Sequence, residues 1–511
     1  MYWCHVPAVD GVWAPVVHSP CVHNEYSGLA WRTLGPTPEF PNSEHLRAEF
    51  RRLRGLVRRL AVERTTMKRV VEGYSGPMRD KYQKALESFS SEEWLVKRDR
   101  RLSAFVKGEK VNPLKRSPTK PRVIMARSPR FNLRLATYLK PLEAALWKNW
   151  RSPASVGRTR MVAKGLNLLQ RARLIRRKMG LVGSGCVVFE VDGKQFEAHV
   201  TRDDLGLEHS VYRAAYPRDP ELADLLQSQL QLRGRTMGGI RYGRDGCRAS
   251  GDYNTGLGNT IVMLCSCLAT MELMQERLGP IRFDVLADGD NALLFVSANH
   301  AKIVREQFAA VCSEVSPQEL TVEEPVTLPE QVEFGQSKGV WNGTDYVMCR
   351  NVFKVLSGAF SGYRHFHDMR FGLRVLKAMA DCEFYLARGL PVLQSYFGAA
   401  RAALAEVPDL VDPRFWLEGH VLEAVKLAGS IEAVRAAQAL TVVDAARTSF
   451  EAAFGIGIQE QLHLERVLPE SVDFPVGKDF QWRRWKVWDV EGPEVVPSVD
   501  NRFYDRGSWT A

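Results

Sequence analysis

The chain has 511 residues, of which 45% are hydrophobic, so it is long enough for several subdomains around a sizeable core. No apolar run approaches the roughly 20 residues that a membrane span needs, no signal-peptide layout is recognisable, and nine scattered cysteines are typical of the reducing cytosol. Residues 97–178 contain 24 Lys and Arg against 3 Asp and Glu, a charge of +21, whereas the rest of the chain carries −10, which indicates a polyanionic partner.

The N-terminal part of the chain is predicted to pass from loop to helix. Residues 1–45 are rich in Pro, His and Trp without a clear period, so we expect an extended, loop-rich segment. Apolar residues recur at three- and four-residue spacing over 44–72 and 78–98, which predicts two helices. The glycines and the proline of 73–77 predict a loop between them.

A basic segment at 120–130 is predicted to be extended. Its prolines disfavour a helix and its short Val-Ile run favours a strand, so the arginines should be displayed along one side. A planar guanidinium donates two parallel hydrogen bonds and suits triphosphate oxygens, which makes Arg122 and Arg127 candidate phosphate ligands. A generic basic loop is the alternative that this segment alone leaves open.

Two helices are predicted next, over 131–150 and 164–180. The apolar run 186–191 predicts a buried strand that ends at Asp192, and the pattern around Glu197 predicts that a helix begins there. A carboxylate at the end of a central strand is a candidate metal ligand. The alternative is a residue near a helix N-terminus, where Asp is favoured in any case.

A polar segment with several Arg and Gly, 201–245, is expected to be an insertion. A Gly-containing loop then leads into a long helix that is predicted to begin near Thr255 and to end near Gly279. Thr255 and Asn259 lie four residues apart and therefore share one face at the start of this helix. Hydroxyl and amide groups there suit a sugar hydroxyl, while helix capping alone would also explain the pattern.

The rest of the chain is organised around residues 287–291, Ala-Asp-Gly-Asp-Asn. A strand-forming run precedes them and an apolar run follows, and Asp-Gly between two such runs predicts a β-hairpin with positive φ at both central residues of its turn. Asp290 would then stand at the hairpin tip with its carboxylate pointing outward, where it could bind Mg²⁺. Most Asp-Gly tips are only turns, so this interpretation needs the second carboxylate at Asp192.

The C-terminal part is predicted to be mostly helical. A helix is expected over 299–312, and an Asn-Gly pair predicts a second hairpin over 340–347. The Ala-, Leu- and Glu-rich stretch 366–465 should be mainly helix, and 466–511 should be irregular.

The order of these motifs resembles that of viral RNA-dependent RNA polymerases of the tombusvirus-like branch. In that family's terms, residues 120–127 look like motif F, 192–197 like motif A, 250–259 like motif B, 288–291 like motif C and 334–337 like motif E. The runs Pro-Arg-Val-Ile, Arg-Ser-Pro-Arg and Ser-Gly-Asp-Tyr-Asn-Thr, with His-Asn near the start, are similar to the same branch. The resemblance covers roughly residues 20–355, and the helical region beyond is assigned by position only.

Two residues depart from the usual family pattern. Motif C reads Gly-Asp-Asn where the family usually has Gly-Asp-Asp, and the second acidic residue of motif A is Glu197 rather than Asp. The Gly-Asp-Asn triplet looks like that of the mycotombus or umbra-like positive-strand RNA viruses of fungi, so we interpret it as native. Asn291 offers a neutral carbonyl ligand, which should weaken metal affinity and favour Mn²⁺ over Mg²⁺.

The resemblance implies an α+β, right-hand polymerase fold. Its palm would be an antiparallel sheet with helices on one face, and its thumb would be helical. The implied divisions are 1–185 for the N-terminal region and fingers, 186–204 for the palm around motif A, 205–245 for a fingers insertion, 246–350 for the palm with motifs B to E, and 351–511 for the thumb and a C-terminal extension.

The resemblance also implies RNA-directed RNA synthesis from ribonucleoside triphosphates, with two divalent ions, Mg²⁺ or Mn²⁺, about 3.5–4 Å apart. Asp192, Asp290 and Asn291 would hold the ions, which would activate the primer 3′-hydroxyl and stabilise the leaving pyrophosphate, and Lys338 would donate a proton. The implied nucleotide ligands are Lys120, Arg122, Arg127, Glu197, Ser250, Thr255 and Asn259, and the implied RNA ligands are Lys107, Lys110 and Arg130.

Among these residues, Glu197, Thr255 and Asn259 would select ribose by its 2′-hydroxyl, because a polar network left unpaired rejects the deoxy analogue. The implied partners are the RNA template, the product duplex, the ribonucleotides, and a viral or host protein that anchors the enzyme to a membrane. The expected location is the host cytoplasm, at the periphery of membrane-bound replication complexes. RNA affinity should fall steeply with salt.

Two other functions are left open by the sequence. A reverse transcriptase or DNA polymerase would share the palm, but proteins resembling reverse transcriptases carry an aromatic gate in motif A and an aromatic before the Asp pair, where this chain has Glu197 and Asp288-Gly289. A non-catalytic RNA-binding scaffold with a polymerase fold is favoured only by Asn291. The intact Asp192 and Asp290 argue against it, because a binding module has no need of a metal pair.

Overall fold

Helices and four β-sheets make up the protein in the computed structural model, which describes residues 2–115, 119–362, 364–417, 419, 421–474 and 476. The helices are α1 Val22–Gly28, α2 Glu44–Arg59, α3 Met67–Glu72, α4 Gly76–Ser88, α5 Pro129–Asn149, α6 Leu168–Val182, α7 Arg202–Ala215, α8 Pro220–Gln227, α9 Thr255–Leu278, α10 Ala298–Val315, α11 Val352–Gly358, α12 Met369–Leu386, α13 Leu393–Ala403, α14 Glu423–Ala428, α15 Ile431–Ala436, α16 Asp444–Phe454 and α17 Ile458–Ser471. The strands are β1 Tyr2–His5, β2 Leu102–Val106, β3 Val123–Ala126, β4 Val187–Gly193, β5 Gln231–Thr236, β6 Arg241–Asp245, β7 Phe283–Asp288, β8 Asn291–Val296, β9 Leu320–Val322, β10 Ser337–Trp341, β11 Tyr346–Arg350 and β12 Phe360–Gly362. Short turns of other helix types are the π-helical Leu29–Thr33 and the 3₁₀ turns Lys97–Arg100, Ala154–Val156, Pro329–Gln331 and Pro413–Phe415.

The central sheet has the strand order β7-β8-β4-β9, and each pair of neighbours is antiparallel. A parallel bridge between Val162 and Ala287 adds the segment before α6 to the β7 edge. A second four-stranded sheet has the order β3-β2-β5-β6, and the two smaller sheets pair β10 with β11 and β1 with β12.

Helices cover both faces of the central sheet. Val285, Ala292 and Leu294 pack on the side of α9, whereas Leu286, Leu293 and Phe295 pack on the side of α6. The structure therefore differs from the expected arrangement with helices on one face, because both faces of β7 and β8 are apolar and must be shielded from water.

Helix α9 lies in the core beside this sheet. By length and composition it could cross a membrane, although the sequence suggested no apolar run of that size, and 83% of its apolar window is buried inside the protein. Within the described residues, all nine cysteines are buried and none forms a disulfide.

Several predicted elements are confirmed with small changes of boundary. The helices predicted over 131–150, 164–180 and 299–312 correspond to α5, α6 and α10, and the long helix from Thr255 is α9. The stretch 366–465 is mainly helical, from α12 to α17. The predicted irregular end, 466–511, is wrong for 466–471, which belong to α17, and its residues 475 and 477–511 lie outside the described residues.

Three predicted elements are wrong in their local structure. The first helix breaks after Arg59, and α3 begins only where the Thr66 side chain accepts from the Arg69 N–H. The predicted helix 78–98 begins earlier, at Gly76, but ends at Ser88. The helix expected around Glu197 begins instead at Arg202, because Thr201 caps it in a reciprocal capping box.

The second hairpin, β10–β11, exists but has a four-residue loop rather than a two-residue Asn-Gly turn. Asn342 Oδ1 accepts hydrogen bonds from the Thr344 and Asp345 N–H groups, which closes the loop through a side chain.

Candidate active site

The predicted central hairpin is confirmed, and Asp290 lies in its turn. β7 and β8 pair from Phe283↔Val296 to Asp288↔Asn291, so Gly289 and Asp290 are the two turn residues. The side chain of Asp290 is exposed. Positive φ occurs at Gly289 only, at 71°, so the expected positive φ at both residues is wrong, and the pattern is that of a II′ turn with Gly first.

Asp192 lies beside this turn. The β4–β8 ladder runs to Val191↔Ala292, and one further step of the same register sets Asp192 opposite Asn291. Opposite residues in an antiparallel ladder have Cα atoms about 4.5–5.5 Å apart. Asp192 is exposed and lies within β4 rather than at its end, because β9 extends the pairing through Asp192↔Thr321. The fold thus brings Asp192, Asp290 and Asn291 to one end of the central sheet.

The acidic residue just before the turn is neutralised by two cations. Lys164 Nζ lies 2.8 Å from Asp288 Oδ1, and Arg171 Nη2 lies 2.7 Å from Asp288 Oδ2. Burial would raise the pKa of Asp288, but Lys164 and Arg171 hold it below its usual value. None of the sequence motifs includes Lys164, which precedes α6, or Arg171, which lies within α6.

Asp192 and Asp290, by contrast, have no ion-pair partner within the part of the chain that the structure describes. Burial raises the pKa of the nearby Glu197 to about 6, and the charge of Asp290 adds to this rise, against the opposing effect of Arg248. The carboxyl groups of Asp290 and Glu197 therefore lie close enough to interact electrostatically.

The donor atoms here suit a divalent cation. Among the described residues, no group of three His, Cys, Asp or Glu forms a ready metal site. Two carboxylates with one amide oxygen would leave positions for substrate oxygens and water, and this is the kind of incomplete site in which Mg²⁺ binds.

Helix α9 holds the hairpin turn from one side. The Gly289 N–H donates to Thr260 Oγ1 at 2.9 Å, and Thr260 Oγ1 donates to the Gly256 carbonyl oxygen at 2.7 Å. The start of α9, and with it Asn259, is therefore adjacent to the turn that carries Asp290. The sequence did not identify Thr260, which resembles any other buried threonine of a core helix.

The loop before α9 is joined to β3 of the basic segment. Ser250 Oγ accepts from the Met125 N–H at 3.0 Å, and the Gly251 N–H donates to the Met125 carbonyl oxygen at 2.9 Å. A Cβ on Gly251 would lie 2.7 Å from Ala126 Cα, so only glycine allows this approach. Thr255 Oγ1 donates to the Ala249 carbonyl oxygen at 2.7 Å and so closes the loop.

Exposed or half-buried cations within the basic segment 120–130 and shortly before it face Glu197. Arg122 and Lys107 both lower the pKa of Glu197, which places their charges near it. Both also pair with Glu109, at 3.4 and 3.2 Å. Arg32 also interacts electrostatically with Arg122, Glu109 and Glu197. No sequence motif pointed to Arg32.

Lys120 and Lys110 are two further candidate cations. Together with Arg32, Lys107 and Arg122 they form what we call the basic surface. Lys120 Nζ lies 4.3 Å from the centre of the Trp31 ring, and the Trp31 side chain is exposed. Lys110 Nζ donates to the Gly358 carbonyl oxygen at 2.6 Å and so joins the chain before the basic segment to the end of α11.

Two of the candidate arginines are buried in ion pairs. Arg127 Nε lies 2.6 Å from Asp252 Oδ1, and Arg130 Nε lies 3.3 Å from Asp99 Oδ2. Their exposures are 4% and 8%. A direct contact of either residue with a nucleotide or with RNA would require these ion pairs to open, so both remain predictions.

Lys338 reaches toward the C-terminal helices. Its Nζ donates to the Ala453 carbonyl oxygen at 3.0 Å, and its charge opposes the raised pKa of Glu190. The expected role of Lys338 as a proton donor remains a prediction.

Comparison with known proteins identifies the family. Residues 9–470 match the family described as viral RNA dependent RNA polymerase. The RNA-directed RNA polymerase of turnip crinkle virus is 32% identical over 412 residues, 75% of this chain and 49% of that protein. Those of carnation mottle virus and tomato bushy stunt virus (strain Cherry) are each 30% identical across 84% of this chain, covering 54% and 48% of their own lengths. The chain spans about half the length of these relatives. It belongs to the viral RNA-dependent RNA polymerase family.

Proposed function

We propose that this chain is an RNA-directed RNA polymerase that copies a positive-strand viral RNA genome by joining ribonucleotides at a two-metal site. The observation that carries the proposal is the position of Asp192 and Asp290 at one end of the central sheet, exposed and without an ion-pair partner among the described residues. Asp288, two residues from Asp290, is by contrast neutralised by two cations.

The proposed cofactors are two Mg²⁺ or Mn²⁺ ions held by Asp192, Asp290 and Asn291. Two bound ions would supply an activated primer 3′-hydroxyl and charge stabilisation for the departing pyrophosphate. Asp192 and Asp290 contribute the hard oxygen ligands, and Asn291 contributes an amide oxygen. Lys338 is proposed to donate a proton, which requires its Nζ to leave the Ala453 carbonyl oxygen.

The proposed triphosphate site is the basic surface that faces Glu197. Arg122 is exposed and Lys120 is half-buried, so their charges are accessible to a triphosphate, and the half-buried Lys107 is proposed to bind RNA beside them. We also include Arg32, which shares their electrostatic neighbourhood. Arg127 would act mainly by holding the basic segment on the loop before α9 through Asp252.

The proposed ribose site consists of Glu197 and Asn259. A carboxylate accepts the proton of a 2′-hydroxyl, and an amide N–H donates to its oxygen. Ser250 and Thr255 would keep the loop before α9 in place, since both hydroxyls are engaged with backbone groups. A deoxynucleotide would leave the polar groups of Glu197 and Asn259 without a partner, so its binding is disfavoured.

We assign the subdomains on the pairing of the strands. β2, within 1–185, pairs with β5, within 205–245, which supports one fingers unit made from both segments. The central sheet with α9 and α10 would be the palm, from 186–204 and 246–350. The helices after 351 share a hydrophobic cluster with residues of β1, β10 and β11, which supports a helical thumb packed beside these strands.

The Gly-Asp-Asn triplet is proposed to be a native variant of motif C, as its resemblance to fungal viruses suggests. RNA template, product duplex and ribonucleotides are the proposed ligands. We also propose that the protein works in the host cytoplasm and is held at replication membranes by a viral or host partner protein.

The test is primer extension on an RNA template with labelled ribonucleotides, in Mg²⁺ and in Mn²⁺. Asp290→Ala removes the proposed ligand, and Asp80→Ala removes an exposed carboxylate on α4 as the matched control. We expect template-dependent extension by the wild type and by Asp80→Ala, and none by Asp290→Ala. Tight RNA binding without extension in either metal would instead identify a non-catalytic scaffold.

A further inference from the structure

Arg248 lies between the two residues that are proposed to bind the ribose. Its backbone N–H donates to the Glu197 carbonyl oxygen at 2.9 Å, and its side-chain Nε donates to Asn259 Oδ1 at 3.1 Å. The residue is buried, at 2% exposure, so the guanidinium does not reach solvent. Arg248 therefore contacts both halves of the proposed ribose site, Glu197 through its backbone and Asn259 through its side chain.

Glu208, on α7, holds this guanidinium in place. Arg248 Nη1 donates to Glu208 Oε1 at 3.0 Å, and Nη2 donates to Oε2, so the pair is bidentate. Glu208 Oε1 also accepts from Tyr212 Oη at 2.6 Å and from Asn254 Nδ2 at 3.0 Å. Burial would raise the pKa of Glu208, but Arg248 keeps it below its usual value, so the carboxyl is ionised.

Gly258 provides the space for this pair. A Cβ at this position would lie 2.4 Å from Arg248 Nη2 and 2.5 Å from Glu208 Oε1. Glycine inside a helix costs about 1 kcal/mol relative to alanine. Gly258 therefore lowers the intrinsic stability of helix α9, and the missing side chain leaves room for the Arg248–Glu208 ion pair.

The chemistry of arginine determines which end of the Asn259 amide faces outward. A guanidinium has only donors, so the Asn259 atom that it contacts must be the oxygen. The amide nitrogen is then directed away from Arg248 and is the end that is left to donate to a sugar hydroxyl. Without Arg248 the amide could rotate and present either end.

We propose that Arg248, held by Glu208, is a positioning residue for ribose selection, which orients the Asn259 amide as a donor and fixes the backbone at Glu197. This rests on the polymerase function proposed above. The 2′-hydroxyl oxygen accepts from Asn259 while its proton is donated to Glu197. A buried ion pair is by itself weak evidence for a role in stability, and the contact between Arg248 Nε and Asn259 Oδ1 gives this pair an orienting role.

The experiment measures kcat/KM for ATP and for 2′-deoxy-ATP in template-directed extension. Arg248→Lys keeps the charge but loses the forked geometry. We expect the ATP preference to fall roughly tenfold or more, because an unsatisfied buried group costs about 1–3 kcal/mol. Arg401→Lys is the matched control, since Arg401 pairs with Asp381 at 2.9 Å between thumb helices, and its ATP preference should equal that of the wild type.

A double-mutant cycle separates positioning from general destabilisation. If Arg248 acts through Asn259, Arg248→Lys should cause no further loss of ATP preference in an Asn259→Ala background. A second, equal loss in that background would overturn the proposal, as would an unchanged preference in a folded Arg248→Lys protein. Should Arg248→Lys not fold, Glu208→Gln is the variant in which the same loss and the same cycle are measured.

Equilibrium binding keeps this test independent of turnover. The affinities of the template-bound protein for ATP and 2′-deoxy-ATP are measured by calorimetry for the same variants. If the wild type binds ATP more tightly than 2′-deoxy-ATP and Arg248→Lys abolishes this difference, the positioning role is supported even without extension. The absence of extension would then count only against the polymerase function. Equal affinities in the wild type would overturn the positioning role.

Discussion

The Gly289 N–H donates to Thr260 Oγ1 at 2.9 Å, so the turn that carries Asp290 is held by the core helix α9. Valine has the shape of threonine but no acceptor. We expect Thr260→Val to lower kcat for extension roughly tenfold, because a buried N–H left without a partner costs about 1–3 kcal/mol. KM for the ribonucleotide should change little, since Thr260 holds the turn and not the substrate.

Thr260→Ser is the matched control, because it retains the hydroxyl and should retain most of the wild-type kcat. Steady-state extension rates of the two variants, at matched folded fractions, make the comparison. Equal kcat values for Thr260→Val and the wild type would show that the hydrogen bond does not position Asp290.

Asn291 should set the metal preference. Asn291→Asp adds a negative charge opposite Asp192 and next to Asp290, which strengthens the attraction for a divalent cation. We expect this variant to gain extension activity in Mg²⁺ relative to Mn²⁺. The ratio of rates in the two metals is measured, with Asn149→Asp on the surface of α5 as the control for net charge. An unchanged ratio would remove Asn291 from the metal site.

The exposed and the buried cations of the basic segment should affect RNA binding differently. Lys107→Ala should weaken RNA binding and reduce the salt slope by about one, if its side chain neutralises one phosphate. Arg130→Met should leave the slope unchanged but cost about 3–5 kcal/mol of unfolding free energy, because Asp99 is left buried without its partner.

Fluorescence anisotropy of labelled RNA over a range of KCl concentrations gives the slopes, and urea unfolding gives the stability. A reduced salt slope for Arg130→Met would mean that its ion pair opens to bind RNA, as the sequence predicted.

A buried ion pair beneath the sheet should contribute to stability rather than to catalysis. Lys178 Nζ of α6 lies 2.8 Å from Asp284 Oδ2 of β7, and burial lowers the pKa of Lys178 to about 8 despite this partner. Lys178→Met should cost about 3–5 kcal/mol of unfolding free energy, because it leaves the buried carboxylate of Asp284 without its cation. The double variant Lys178→Met/Asp284→Asn should recover part of this loss.

Urea unfolding measures both variants, and extension per folded molecule should match the wild type, since Asp284 lies near the β7 end away from the turn. Equal costs for the single and the double variant would contradict the ion-pair interpretation.

The sequence predicted the parts of the site that depend on local pattern. The hairpin around Asp290, the strand before Asp192 and the helix from Thr255 follow from apolar runs and turn residues, and the structure confirms them. The errors lie where another element intervenes. β4 continues past Asp192 because β9 pairs with it, and no local signal encodes that partner.

The side-chain environment was the part that local pattern could not supply. Arg127 and Arg122 look alike in the sequence, yet Arg127 is buried against Asp252, which lies 125 residues along the chain, and Arg122 is exposed. Arg248 and Thr260 were missed for the same reason. Their roles depend on Glu208 and on the Gly289 N–H, and those contacts exist only in the folded chain.

The most direct measurement is Mn²⁺ binding to the RNA-bound protein by electron paramagnetic resonance, in the presence of a non-reacting ribonucleotide analogue. We expect Asp192→Ala and Asp290→Ala each to weaken Mn²⁺ binding at least tenfold. Asp288→Asn should bind Mn²⁺ as the wild type does, because Lys164 and Arg171 already neutralise Asp288. Wild-type Mn²⁺ affinity in both alanine variants would contradict the placement of the metal site at the tip of the β7–β8 hairpin.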